Sequence, residues 1–289
     1  MAGHALAANP QRDAAPELMQ ICWGISGRSV QLGPQHKSSN HVIHHLNSNE
    51  FKRECQMISS RTQHSSTIRY IDLSHAIENG TVTYPGDPAA SISVKLDRET
   101  AAHANGDGDF AGCEINEFTI VSTSGTYIDA PYHVFADGHK VKDYPIEKLV
   151  NLPAVVVSMA AERHYFDIED IEKVDVNGKA ILFYSGHDQF FMTPQYGEHA
   201  PFITPELARL LVERGAAFVG IDGPLVDDMA RQFDQGCPVH YALLGAGIPI
   251  CEDMTNLGSL PRDGFIITAL PPAVSIESFP ARVFATIDE

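Results

Sequence analysis

Five side chains able to move a proton or hold a metal ion fall in two short stretches of this sequence. The first stretch is Thr123-Ser124-Gly125-Thr126-Tyr127-Ile128-Asp129-Ala130-Pro131-Tyr132-His133. It brings a phenol, a carboxylate and an imidazole into one turn-rich segment, the usual mounting for chemistry in α/β proteins. Asp129 and His133 fit a metal ligand and a base, or an orienting carboxylate and a base. The second stretch runs from Pro238-Val239-His240 to Cys251-Glu252. There an imidazole and a carboxylate stand at the two ends of a helix-turn-strand unit, broken by Gly245 and Gly247. Nitrogen and oxygen donors together suit zinc, manganese or a similar divalent ion. On spacing alone the second stretch says little, because a lone His and Glu are more commonly surface or hydrogen-bonding residues.

Other chemistries are poorly represented. No Gly-x-Ser-x-Gly elbow is present, and Ser122-Thr123-Ser124-Gly125 does not fit one. Gly245-x-Gly247 lacks the third glycine and the preceding strand of a dinucleotide site. Cys251, inside an apolar run, reads as a small hydrophobe rather than a nucleophile. Ser185-Gly186-His187-Asp188 directly follows an apolar run, so His187 is a candidate to touch substrate, or else a loop histidine satisfied by its surroundings. The alternating oxygens of Asn105-Gly106-Asp107-Gly108-Asp109 hint at calcium but lack the bidentate Glu of an EF-hand.

Strands must carry these groups. Phe118-Thr119-Ile120-Val121 reads as a buried strand leading into the first stretch. Tyr70–Leu73 and the alternating Ile92–Leu96 read as further strands. Ala154–Val157 and Ala180–Tyr184 are continuous apolar runs, the pattern of strands covered on both faces. Ala217–Asp222 and Phe265–Leu270 complete the set, and Phe166–Val174 suits a short amphipathic helix. Thr204-Pro205-Glu206 is a helix start, with an N-cap, a proline in the first turn and an acid at the positive dipole end. Leu207, Leu210 and Leu211 form its apolar stripe, and Gly215 stops it. The expected fold is α/β: a single domain with a mixed, strand-rich sheet and flanking helices, spanning residues 67–289. Residues 1–66 are rich in Ser, Asn, Gln and His without apolar periodicity, and read as a poorly ordered extension or a histidine-rich metal tract.

Composition bounds the partners. The chain has 289 residues, 44% of them apolar, and a formal net charge of −17. That charge disfavours nucleic acid and anionic membranes but says little about the substrate; the expected partner is a small molecule. No apolar run approaches the roughly 20 residues of a membrane span. The first residues lack the basic-then-apolar order of a signal peptide, and five scattered cysteines do not form a disulfide framework. A cytoplasmic location is expected.

Taken in order, the two stretches resemble the cyclase family that includes bacterial kynurenine formamidase. Its motif is His-x-Gly-Thr-His-x-Asp-x-Pro-x-His, against Thr123-x-Gly125-Thr126-Tyr127-x-Asp129-x-Pro131-x-His133 here. Ile71-Asp72-Leu73-Ser74, Tyr84-Pro85-Gly86-Asp87, Gly220-Ile221-Asp222 and Thr255-Asn256-Leu257 extend the likeness over residues 68–287. The resemblance implies Asp129, His240 and Glu252 as metal ligands and His133 as the catalytic histidine. Thr123 and Tyr127 stand where the motif has its first two histidines, so those ligands are missing. A Tyr-containing form of the motif recurs among family members of unassigned function, and this chain resembles that subgroup. The resemblance also implies a homodimer or homotetramer.

Three expectations follow. The first is a hydrolase of an amide, formamide, lactam or lactone bond in a small cyclic or aromatic substrate. It would use one divalent ion (zinc or manganese) on Asp129, His240 and Glu252, His133 as base, and Tyr127 as donor to the oxyanion. Tyr84, His187 and Thr123 are its candidate substrate contacts, and Tyr132, Phe110, Phe190 and Phe191 its candidate aromatic lining. The second is a metal-free lyase, isomerase or cyclase, with His133 as base, Tyr127 as acid and Asp129 fixing the imidazole. The third is a non-catalytic binding protein on the same fold.

Overall fold

The computed structural model describes residues 68–103, 111–160 and 163–288; the extension expected over 1–66, the hinted calcium loop and Phe110 lie outside them. The strands are β1 (Ile68–Asp72), β2 (Ser91–Leu96), β3 (Ile115–Thr119), β4 (Tyr127–Asp129), β5 (Leu152–Ser158), β6 (Tyr165–Phe166), β7 (Ala180–Tyr184), β8 (Phe202–Ile203), β9 (Phe218–Ile221), β10 (Ile250–Glu252), β11 (Phe265–Leu270), β12 (Ser278–Pro280) and β13 (Arg282–Asp288). The α-helices are α1 (Arg98–His103), α2 (Pro205–Glu213), α3 (Gln232–Gln235) and α4 (Pro238–Gly245). Nine strands form one mixed sheet in the order β1-β13-β11-β5-β7-β9-β10-β4-β12. Its centre, β5-β7-β9-β10, is parallel, and the remaining pairs are antiparallel. This is the α/β architecture with a mixed, strand-rich sheet expected from the sequence.

The central strands are apolar throughout because both faces are covered. Val155, Val157, Ile181, Phe183, Val219 and Ile221 pack with Leu207 and Leu211 of α2 and Val239, Leu243 and Leu244 of α4. Their alternates Ala154, Val156, Ala180 and Leu182 join Ile267, Val283 and Ala285 of the antiparallel half. Burying one such side chain stabilises the fold by about 1.5–3 kcal/mol. Helix α2 starts as its sequence dictates: the Thr204 hydroxyl accepts from the Leu207 N–H at 3.2 Å, and Pro205 needs no partner for its nitrogen. Gly215, at φ 76°, takes the left-handed turn that ends the segment. Ala208 rather than Leu210 completes the fully buried stripe.

Two expectations are corrected. The strand read at Phe118–Val121 is instead Ile115–Thr119, and it is exposed along its length, with Phe118 58% accessible. Among the described residues its only ladder is with β2, in a two-stranded ribbon apart from the main sheet, and no described core layer covers it. The helix read over Phe166–Val174 shrinks to one 3-10 turn, Ile168–Ile171. Asp167 and Asp170 cap one another's backbone there, and only Ile171 reaches the core. No described helix is long and apolar enough to cross a membrane.

Gly220 lies in β9 where Met254 crosses the sheet. A Cβ at this position would stand 2.4 Å from Met254 Sδ and 3.0 Å from Leu182 Cδ2. Gly220→Ala should therefore lower stability by about 1–3 kcal/mol, read as a reduced urea midpoint with unchanged slope. An unchanged midpoint would mean that this crossing is loosely packed.

Candidate metal centre

Strand register gathers the site. In β4, Tyr127 and Asp129 point to one face, two residues apart. Antiparallel pairing sets Glu252 of β10 opposite Tyr127, and Ile250 opposite Asp129. On the other edge, Ser278 of β12 stands opposite Asp129. Tyr127, Asp129, Glu252 and Ser278 therefore share a face although Asp129 and Ser278 are 149 residues apart in the chain. Helix α4 supplies His240.

The helix owes its placement to Asp227. The N-cap residue of α4, Cys237, makes no capping hydrogen bond through its side chain. The Asp227 carboxylate accepts instead from the Val239 N–H at 2.8 Å and the His240 N–H at 3.1 Å. The same carboxylate lies 2.6 Å from His240 Nδ1. With Nδ1 thus held as a donor, Nε2 is the nitrogen left to bind a cation. It lies 3.6 Å from Asp129 Oδ2 and 3.5 Å from Glu252 Oε1. All three side chains are buried, and Nε2 and Asp129 Oδ2 have no hydrogen-bond partner.

These residues fit a divalent ion. The three donor atoms lie within 4.8 Å of one another. Ligands on bonds of about 2.0 Å in a tetrahedral site stand about 3.3 Å apart, close to the separations seen here. The donor set is one nitrogen and two carboxylate oxygens, donor types that zinc and similar divalent ions accept. A second grouping, Asp227, Cys237 and His240, uses the back of the same imidazole, where Asp227 already holds Nδ1.

Electrostatics point the same way. Burial, reinforced by the charge of Asp129, pushes Glu252 up to about 7 despite the opposing pull of His240. Burial alone would lower His240, but Glu252, Asp129 and Asp227 together raise it well above its ordinary value. Burial would raise Asp129 too, yet His240, His133 and Ser278 hold it below the usual carboxylate range. Without a cation, the cluster offsets its carboxylates by retaining protons. Tyr127 is pushed far above 10 by burial and by Glu252, so it stays a phenol.

The Tyr127 phenol does not face outward. It is 5% exposed and donates to Glu252 Oε2, while the Val226 N–H donates to Oε1 at 2.6 Å. The phenol expected to donate to an oxyanion thus donates to Glu252. His133 sits on the 3-10 turn Pro131–His133, 32% exposed, with its ring 5.4 Å from that of His240. Asp129 does not fix it directly: Nδ1 is 3.8 Å from Asp129 Oδ1 but 3.2 Å from Ser278 Oγ.

Among the described residues, no hydrogen bond joins the expected substrate contacts to Asp129, His240 or Glu252. His187 is 8% exposed, with Nε2 2.8 Å from the Tyr196 carbonyl and its ring stacked on Tyr196. It is a satisfied histidine. Asp222 shapes the turn before it, accepting from the Ser185 and Gly186 N–H groups, and burial pushes this carboxyl up to about 6. The Tyr84 hydroxyl accepts from the Gln232 amide at the edge of a cavity of about 500 Å³ whose lining contains no member of the metal group. Thr123 is half-buried in the turn between β3 and β4. Of the expected aromatic lining, Phe191 is stacked on His75, and Tyr132 and Phe190 are exposed. Asp227 and Ser278 were not legible: a carboxylate in a loop and a serine in a late strand carry no spacing signal of their own.

Residues 71–228 match the family described as Putative cyclase. A kynurenine formamidase from Bacillus cereus is 27% identical over 216 residues, 72% of this chain and 92% of that protein. Among solved structures, isatin hydrolase A from Labrenzia aggregata, bound to benzyl benzoate, superposes with a TM-score of 0.64 at 22% identity, covering 83% of this chain and 99% of that one. A potential metal-dependent hydrolase with cyclase activity gives a TM-score of 0.62, also at 22% identity, over 77% of this chain and 98% of that one. At these identities the two superpositions establish a shared fold.

Two outcomes are expected. Asp227 accepts from three donors, and an amide in its place offers one acceptor oxygen, so either the helix cap or His240 loses its partner. Asp227→Asn should weaken zinc affinity about 10–100-fold by titration calorimetry; unaltered affinity would free Asp227 of this role. The second concerns pH. Glu252 and His240 both titrate higher in the folded than in the unfolded chain, so the stability each contributes is full at low pH; that of Glu252 is lost as pH rises through about 7, and that of His240 is lost as pH rises through its own raised value. Zinc needs the deprotonated ligands and recovers that loss. The rise in melting temperature on adding zinc should be larger at about pH 8 than at about pH 5.5. An equal rise at both would separate zinc binding from these groups.

Proposed function

The chain belongs to the cyclase family, and on that premise we propose that it is a hydrolase of non-peptide C–N bonds that works with one divalent ion, zinc or manganese. The observation that carries this reading is the pair of buried, unpartnered donor atoms, Asp129 Oδ2 and His240 Nε2, facing each other beside Glu252. When bound there, the ion supplies Lewis acidity toward water and a carbonyl oxygen. Asp129, His240 and Glu252 hold it. Tyr127 and the Val226 N–H keep Glu252 in one orientation, and Asp227 does the same for His240.

His133 is the exposed base. It takes the proton of the attacking water and returns it to the leaving nitrogen, a role worth about 10²–10⁴-fold in rate. The relatives named for kynurenine formamide and isatin hydrolysis support an aryl formamide or a lactam fused to an aromatic ring as substrate. The metal-free alternative needs Tyr127 as an acid facing substrate, and the burial of this phenol against Glu252 speaks against it.

The test is hydrolysis of an aryl formamide and of isatin by the full chain, before and after chelation. Activity should vanish with the chelator, return with zinc or manganese, and fall about 10²–10⁴-fold in His133→Ala while the metal content stays at one ion per chain. Hydrolysis that survives complete removal of the metal, or a metal-loaded chain inert toward both compounds, would overturn the proposal.

A further inference from the structure

Ser278 is fully buried on β12, directly opposite Asp129, and the sheet pins it there: the Ala130 N–H donates to the neighbouring Glu277 carbonyl at 2.8 Å. Its hydroxyl touches two groups, Asp129 Oδ1 and, at 3.2 Å, His133 Nδ1. A serine hydroxyl has one hydrogen to give and lone pairs to receive. Asp129 binds a cation only as a carboxylate, which accepts and cannot donate. The Ser278 hydrogen therefore goes to Asp129 Oδ1, and the remaining contact requires Ser278 Oγ to accept from a hydrogen on His133 Nδ1.

We propose that Ser278 is the positioning residue for His133, holding the neutral imidazole with its hydrogen on Nδ1 and leaving Nε2 as the free base. The chain Asp129–Ser278–His133 divides the work of one carboxylate. Oδ2 faces His240 and the metal group, and Oδ1 orients the base through the serine. The intermediary is needed because His133 follows Asp129 by four residues on a tight turn, and its Nδ1 stays 3.8 Å from Oδ1. The inference deepens the hydrolase proposal and rests on its assignment of His133 as base.

The test reads the tautomer without substrate. The full chain, zinc-loaded and labelled with ¹⁵N-histidine, is studied by long-range ¹H–¹⁵N correlation at a pH where His133 is neutral, its signals identified by their loss in His133→Gln. The expected wild-type pattern is a protonated Nδ1 and an unprotonated Nε2. Ser278→Ala should lose that pattern in favour of hydrogen on Nε2, and Ser278→Thr, which keeps the hydroxyl, should retain it. Hydrogen on Nε2 in the wild type, or an unchanged pattern in Ser278→Ala, would overturn the assignment. If Ser278→Ala fails to fold, the wild-type and Ser278→Thr spectra still decide. An Nδ1–H tautomer in a chain that hydrolyses neither test compound would remove the hydrolase proposal and leave the role of Ser278 standing.

Discussion

Asp129, Asp227 and Glu252 crowd around the single imidazole of His240, all four out of contact with water. Burying charge without compensation is strongly unfavourable, so such a cluster either retains protons or takes up a cation. The hydrogen bonding decides which ligand atoms are free. Asp227 consumes Nδ1, the Val226 N–H and Tyr127 address both oxygens of Glu252, and Ser278 takes one oxygen of Asp129. What is left unpartnered, Nε2 of His240 and Oδ2 of Asp129, faces a common point. Much of the surrounding fold serves to hold those two atoms there.

The sheet accomplishes this with three short strands at one end. β10 joins the rigid parallel centre to β4, and β12 closes the far edge. Three-residue strands such as β4 and β12 carry little stability of their own; they are held by the apolar layers beneath, where Ile128 and Cys251 are fully buried beside Leu182. The substitution of Tyr127 for a motif histidine fits the same frame. A phenol that donates to Glu252 keeps that carboxylate in place and offers no nitrogen donor where the motif has one.

Much of this was legible in the sequence where a local rule acts alone. Ala180–Tyr184 and Phe265–Leu270 form strands over the residues their apolar runs mark out, and the Thr204-Pro205 signal starts α2 where it should. Rules failed where distant packing decides. Phe118–Val121 looks buried because it is apolar, yet among the described residues β3 pairs only with β2 and stays exposed. That Asp129, His240 and Glu252 would come together was implied by the family resemblance, and their donor atoms do cluster. Asp227 and Ser278 were not, because what makes them matter is a helix lacking a side-chain cap and a strand partner 149 residues away. The contact of Tyr127 with Glu252 was hidden for the same reason: the register that sets the two opposite one another cannot be read from either segment alone.

The central claim is that this site is built for a single divalent ion on Asp129, His240 and Glu252. Anomalous scattering at the zinc edge from crystals of the zinc-loaded chain tests it most directly. The account predicts one peak, equidistant within coordination range from Asp129 Oδ2, His240 Nε2 and Glu252 Oε1. Two peaks at this site, or a peak held by other residues with these three atoms left bare, would contradict it.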